Sequence, residues 1–391
     1  MILSQKSVTI GILTFFFCLT VKIHLQADQD IGFQGELTGW GVATDADPDR
    51  QELGIRYLPQ LKLNYPISEA FSVDSELMAN FYRVQISEQG EETEEVWDEK
   101  AYRLWIRLYT DQFESRLGLQ EISFGPGRIL RSLRWFDQKD SRDPTNYTDG
   151  VKALLLRYYL ENNTNFWGWS LYGNDDPMGI SPLTSDNDRY EYGGRCQIPV
   201  SSGEIGFSAH QRWVDLNPLL SESGQEFDPL LEKRFGFDIT WDLVAGLWLE
   251  YTHLELESNG FIPEIQQFAT VGTDYTFEIG NGVGAILEYQ VIHLESDDIV
   301  LEEDTFGTLA VSLQYPLNLL DSIRFMAFQG VNTGVDSYQI DWKRTYDTIM
   351  IDLVLFQTMV DSSSASTVSM FANESPVGDE TGLRLLVQFN H

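Results

Sequence analysis

Ile55-Arg56-Tyr57-Leu58-Pro59-Gln60-Leu61-Lys62-Leu63-Asn64-Tyr65 decides the fold. Successive side chains of an extended chain point to opposite faces, so Ile55, Tyr57, Leu61, Leu63 and Tyr65 share one side and Arg56, Gln60, Lys62 and Asn64 the other. One face is apolar, the other wet. The next stretch repeats the rule, with Phe71, Val73, Leu77, Ala79 and Phe81 against Asp74, Glu76 and Asn80. Working outward, the same alternation starts at Ile31, Phe33, Gly35 and Leu37 and ends at Leu383, Leu385, Val387 and Phe389, in stretches of about ten residues. Tyr102, Leu104, Ile106 and Leu108 read as apolar-face residues, as do Trp167, Trp169 and Leu171. The tally is about eighteen strands, an even number as in bacterial single-chain barrels.

The connections alternate too. Short ones fall at 66–69, 110–112, 162–165, 201–204, 241–243, 278–282, 316–321 and 343–346. Long ones fall at 43–52, 87–98, 123–149, 174–188, 215–231, 258–264, 296–304, 330–336 and 361–379. A soluble sandwich has no reason to keep its short turns at one end, whereas short periplasmic turns and long extracellular loops are the outer-membrane pattern. The expectation is an all-β fold: a transmembrane antiparallel β-barrel of about eighteen strands in the bacterial outer membrane. Tyr65, Phe71, Trp213, Trp241, Tyr251 and Tyr315 at strand ends suit an interfacial girdle, although aromatic residues also favour strands in general.

Lys6, an apolar run from Val8 to Val21 and Leu25-Gln26-Ala27 predict a cleaved signal peptide over residues 1–27, leaving one barrel domain over 28–391. Loss of Lys6 and Lys22, with no acid, moves the formal charge from −34 to −36. Such a surface repels nucleic acid. At 42% hydrophobic and 13% aromatic residues the chain is nonetheless one that folds. Cys196 would be the sole remaining cysteine, so no internal disulfide is expected. His210, His253, His293 and His391 lack metal-ligand spacing, and no cofactor motif appears. The expectation is no enzyme, no cofactor and no metal; His210 and Asp215 are the only side chains worth a catalytic thought.

The interior of so wide a barrel exceeds what side chains can fill, so water occupies it unless something plugs it. The first strand begins too soon after the leader for a plug domain, so a passive channel is expected, narrowed by the loop at 123–149. Arg128, Arg131, Arg134, Lys139 and Arg142 reverse the local sign there, and Arg103, Arg107, Arg116 and Arg157 alternate inward on neighbouring strands. Arg56, Lys62, Arg195, Arg212, Arg234, Arg324 and Arg384 also read as inward. Arginine suits anions, because its fork matches carboxylate and phosphate. The candidate constriction is therefore Arg103, Arg107, Arg116, Arg128, Arg131, Arg134, Arg142 and Arg157. Inward acids leave a second reading open: Asp74, Glu76, Glu114, Glu191, Glu204, Asp238, Glu250, Glu288 and Asp352 could pair with these cations and stiffen a poorly conducting structural or adhesion barrel whose loops bind a partner. The acidic runs 88–99 and 295–304 read as solvated extracellular loops, or as divalent-cation sites beside lipopolysaccharide.

Arg116-Leu117-Gly118-Leu119-Gln120-Glu121-Ile122-Ser123-Phe124-Gly125-Pro126-Gly127-Arg128-Ile129, then Trp135, Arg142 and Asp149-Gly150-Val151, resembles alginate-export-type outer-membrane porins over about forty residues. The resemblance implies an eighteen-stranded barrel with an arginine-rich constriction for anionic polysaccharide, and Arg116, Arg128 and Arg142 as pore residues. Small anionic solutes are the related expectation. Residues 382–389 resemble the terminal strand read by barrel assembly machinery, with Asn390 and His391 following the aromatic. Expected partners are thus outer-membrane lipid, lipopolysaccharide, that machinery and the transported anion.

Overall fold

The computed structural model describes residues 30–46, 49–220, 227–258, 260, 262–296, 304–360 and 379–391. The leader expected over 1–27 lies outside them, as do parts of the loops expected at 43–52, 215–231, 258–264, 296–304 and 361–379. In chain order the strands are β1 (Asp30–Thr44), β2 (Arg50–Ser68), β3 (Phe71–Glu88), β4 (Glu91–Tyr109), β5 (Phe113–Gln120), β6 (Val151–Tyr159), β7 (Asn165–Leu171), β8 (Thr184–Ser185), β9 (Glu191–Val200) and β10 (Gly203–Asp215). They continue with β11 (Leu230–Asp242), β12 (Gly246–Leu256), β13 (Ile265–Phe277), β14 (Val283–Glu295), β15 (Thr305–Pro316), β16 (Asp321–Val331), β17 (Val335–Thr345), β18 (Ile349–Val360) and β19 (Glu380–Asn390).

β8 is a two-residue stub on the end of β10. The other eighteen pair antiparallel with their chain neighbours, β7 joining β9, and β19 returns to β1. The barrel is closed, which leaves no strand edge unsatisfied in lipid. Each alternating stretch read from the sequence falls on one of these eighteen strands. The chain end seals the seam: Gly35 N–H donates to the His391 carbonyl and His391 N–H to that of Gly35, each at 2.9 Å.

Outward positions carry the apolar belt, for example Phe33, Ile55, Leu117, Phe207, Val271 and Leu355. Several readings of side-chain direction or loop extent are corrected. Trp167, Trp169 and Leu171 face inward; Phe166 and Tyr172 of the same segment are the exposed ones, at 45% and 47%. The reason is an apolar partner inside the lumen, since Trp169 and Leu171 pack with Ile122, Phe124, Leu133, Trp135 and Phe136 of the long loop. Tyr102 also turns inward and is buried, because a bulge at Met78/Ala79 shifts the β3–β4 register beside it.

The third correction concerns the acidic run at 88–99. It is strand, not loop: β3 and β4 extend through it and meet at Gln89-Gly90, whose φ values of 51° and 82° suit a two-residue hairpin turn. β2, β3 and β4 have 19, 18 and 19 residues. At about 3.3 Å per residue and a tilt of about 40°, each rises about 45 Å, against an apolar band about 25 Å tall. Their acidic ends thus stand in water, where carboxylates do not oppose strand pairing. The connections expected to be long at 43–52 and 330–336 are short as well, with β1 and β2 separated by residues 45–49 and β16 and β17 by residues 332–334.

Candidate pore constriction

Between β5 and β6 the chain makes its long excursion, and the excursion goes into the lumen. Leu133, Trp135 and Phe136 seat it on Val151, Ala153 and Leu155 of β6 and on β7. From there it reaches the far wall. Glu250 of β12 accepts the N–H groups of Gly127 at 2.6 Å and Leu133 at 3.0 Å. Glu288 of β14 accepts those of Arg128, Ile129 and Leu130, at 2.8, 2.9 and 2.5 Å, and the Trp248 indole N–H at 2.9 Å. Both glutamates have no exposed surface. Ser132 adds a hydroxyl contact to Thr270 at 2.8 Å, and Thr252 donates to the Ser132 carbonyl at 2.7 Å. Gly125 is required at this approach: its φ is +93°, and a Cβ there would lie 2.4 Å from a Glu250 carboxylate oxygen.

The loop then crosses to the opposite arc. Arg324 of β16 donates to the Ser141 carbonyl at 3.1 Å and Arg384 of β19 to that of Arg142 at 2.9 Å. The Arg56 guanidinium lies 3.9 Å from the Tyr147 ring centroid. Lys100 and Asp149, 2.8 Å apart, tie the returning strand of the loop to β4. Burial raises the Asp140 carboxyl, but hydrogen bonds and charge from Arg142 outweigh this and hold it below the usual range. Burial and then Asp149 push the Tyr147 phenol up.

The eight candidate arginines separate into distinct groups. Arg107, Arg116 and Arg157 converge on the buried Glu114, at 3.7, 3.0 and 3.8 Å, and Arg107 also pairs with Asp74. Each lies against a ring: Tyr109, Trp105 and Trp167 respectively. Arg103 is buried at the loop base, 3.3 Å from Glu121 and 3.0 Å from the Thr148 carbonyl. Arg131 is an internal brace, paired with the buried Asp137. Arg134 donates to the Lys139 carbonyl at 3.4 Å. Arg128 and Arg142 are half-exposed; Arg128 lies 2.7 Å from Asp274, and Arg142 lies 2.6 Å from Asp140.

Other inward charges also find partners. Arg195 pairs with Asp238 at 2.6 Å, and Arg212 and Arg234 share Glu232 at 2.6 and 2.7 Å. His210 is buried between the Trp169 indole and Glu191, each at 3.1 Å. Asp215 instead accepts from Asn217, so the His210–Asp215 pairing does not form. What the sequence reading missed is the role of Glu250 and Glu288. Both are recognisable as inward acids, but their partners are main-chain amides of the loop. The signal was the Gly125-Pro126-Gly127 turn, whose two glycines leave room for a carboxylate to approach the backbone.

No protein-family model matches this chain, and no curated protein matches it. Solved structures do. OccK5 (OpdH) of Pseudomonas aeruginosa aligns over 92% of this chain and 98% of its own, with a TM-score of 0.57 and 11% identity. OccK7 (OpdD) of the same organism gives 0.55 and 12% over 94% and 99%. OmpF of Salmonella typhi, in complex with daunomycin, gives 0.51 and 10% over 92% and 97%. The closed barrel, its apolar outer belt and these likenesses define the class: an outer-membrane β-barrel with a porin-type fold, crossed inside the lumen by a docked loop.

Proposed function

We propose that the chain is a passive outer-membrane channel favouring small anionic solutes or anionic saccharides. The observation that carries this reading is at the loop tip. Arg56 and Arg384 have no carboxylate within ion-pair distance among the described residues, and they are held by rings and by a main-chain carbonyl instead. Their charge therefore remains available to an anion passing Arg142. Arg128, on the far wall, is the second half-exposed cation of the loop. The outer belt is the natural seat of lipid and lipopolysaccharide, and β19 is the natural handle for barrel assembly machinery.

A second reading, a stiff and poorly conducting barrel with a partner at its loops, is favoured by the pairing of Arg103, Arg107, Arg116, Arg131 and Arg157. Planar-bilayer recording separates the two. The channel reading expects conductance with a reversal potential on the anion side under a KCl gradient, moved toward cations by Arg56→Gln with Arg384→Gln. A barrel that never conducts supports the second reading, and an unmoved reversal potential discards Arg56 and Arg384 as selectivity residues.

A further inference from the structure

We infer that Glu250 and Glu288 are positioning residues for the aperture: an anionic clasp on one wall that holds the constriction loop across the lumen. This rests on the channel reading for its consequence and on geometry for its mechanism. An ionised carboxylate offers about four lone-pair sites. Glu288 meets four donors, three successive loop amides and the Trp248 indole, so its accepting capacity is fully used. Glu250 grips the same loop at Gly127 and Leu133, on either side of the segment Glu288 holds. Neither glutamate has a cation within ion-pair distance among the described residues. The charges around them are committed elsewhere: Asp238 on β11 to Arg195, Asp274 on β13 to Arg128, and Arg131 in the loop to Asp137. The amides are therefore what neutralises these two buried charges, and the loop is what supplies the amides. Wall and loop need each other, yet the barrel's own strand ladder does not depend on the contact. The loop can leave without unfolding the barrel, and the wide state that results passes solutes the docked state excludes.

Glu288→Gln keeps the size of the side chain but replaces one accepting oxygen by an amide NH2, a donor that faces loop N–H groups. In single-channel records the fraction of time spent at a wide conductance level should rise at least about tenfold, which converts to about 1.4 kcal/mol, near the low end for one hydrogen bond to a charged group. Glu250→Gln should act in the same direction, and Glu255→Gln, on the outer face of the same strand, should leave the records unchanged. A disulfide through Ser132→Cys with Thr270→Cys, two side chains already in contact, should restore the narrow level in the Glu288→Gln protein until it is reduced. Trypsin supplies a readout that needs no conductance: the folded variant barrel should be cut at Arg128 or Arg131 faster than the wild type. If no protein conducts but the variant loop is cut, the channel reading fails and the clasp stands. Wild-type dwell times together with wild-type cleavage in both glutamine variants would overturn the clasp.

Discussion

Glu114→Gln removes one carboxylate from the centre of three guanidinium groups while preserving its shape. Glu114 is 7% exposed, and Arg116, Arg107 and Arg157 lie 3.0, 3.7 and 3.8 Å from its oxygens. At an effective dielectric of about 20, each pair at such distances represents about 4 to 6 kcal/mol of attraction before desolvation is subtracted. Arg107 retains Asp74, so the loss falls mainly on Arg116 and Arg157. Removing one partner of a buried pair generally costs about 3 to 5 kcal/mol, because the remaining charge is stranded. The same change adds one uncompensated positive charge to the lumen wall between β4 and β6. Two measurements should therefore move together. The denaturant midpoint of the folded barrel should fall, and the reversal potential in a KCl gradient at about 0.1 M salt, where screening extends about 10 Å, should shift further toward anions. An unchanged midpoint would refute the claim that Glu114 holds the cluster. A lowered midpoint with an unmoved reversal potential would remove Arg107, Arg116 and Arg157 from any role in selectivity and leave them as a brace.

Trp169→Ala should cost about 3 to 5 kcal/mol, since it empties a packed site under the loop, whereas Phe166→Ala on the lipid-facing side should cost distinctly less; equal losses would contradict the inward orientation of Trp169. The Asp140 carboxyl, held below its ordinary value chiefly by Arg142, contributes its pairing at neutral pH and loses it only as pH falls below the usual carboxylate range. A carboxyl-resolved NMR titration should show this midpoint rising in Arg142→Gln, and a midpoint indifferent to that substitution would sever the pair.

The barrel was legible because lipid imposes a strict rule: backbone groups pair around a closed circuit, and outward side chains are apolar. That rule acts only where lipid is the neighbour. Trp167, Trp169 and Leu171 misled because apolar loop residues, instead of water, cover β6 and β7 from within. Glu88 to Glu99 misled because strands continue above the membrane, where charge is no argument against pairing. Tyr102 misled because a bulge shifts the register without marking the sequence. At the site, the length of the 123–149 excursion and its local excess of cations were readable from length and composition. Their partners were not, since strand register and loop path decide which acid arrives beside which arginine. Asp74 meets Arg107 because β3 and β4 align them, while Glu288 meets three amides from residues far away in the chain.

Glycines on the inner face supply part of that missing information. Gly236 of β11 pairs with Ser208 and Thr252 on its neighbours, and a Cβ there would lie 2.5 Å from the Leu133 side chain and 3.0 Å from Trp135. Gly206 of β10 faces the Arg195–Asp238 pair, which reaches from β9 to β11 across the strand between; a Cβ would lie 2.3 Å from the guanidinium and 2.4 Å from the carboxylate. Water in a wide lumen would tolerate a side chain at either position. At these two positions the inward glycine marks a place where something solid presses on the wall, the loop at Gly236 and an ion pair spanning a strand at Gly206. Gly236 on the wall and Gly125 on the loop itself mark the contact from both sides. The loop is thus seated by complementary shape as well as by charge. That seating leaves the half-exposed Arg128 and Arg142 as the loop arginines with most contact with solvent.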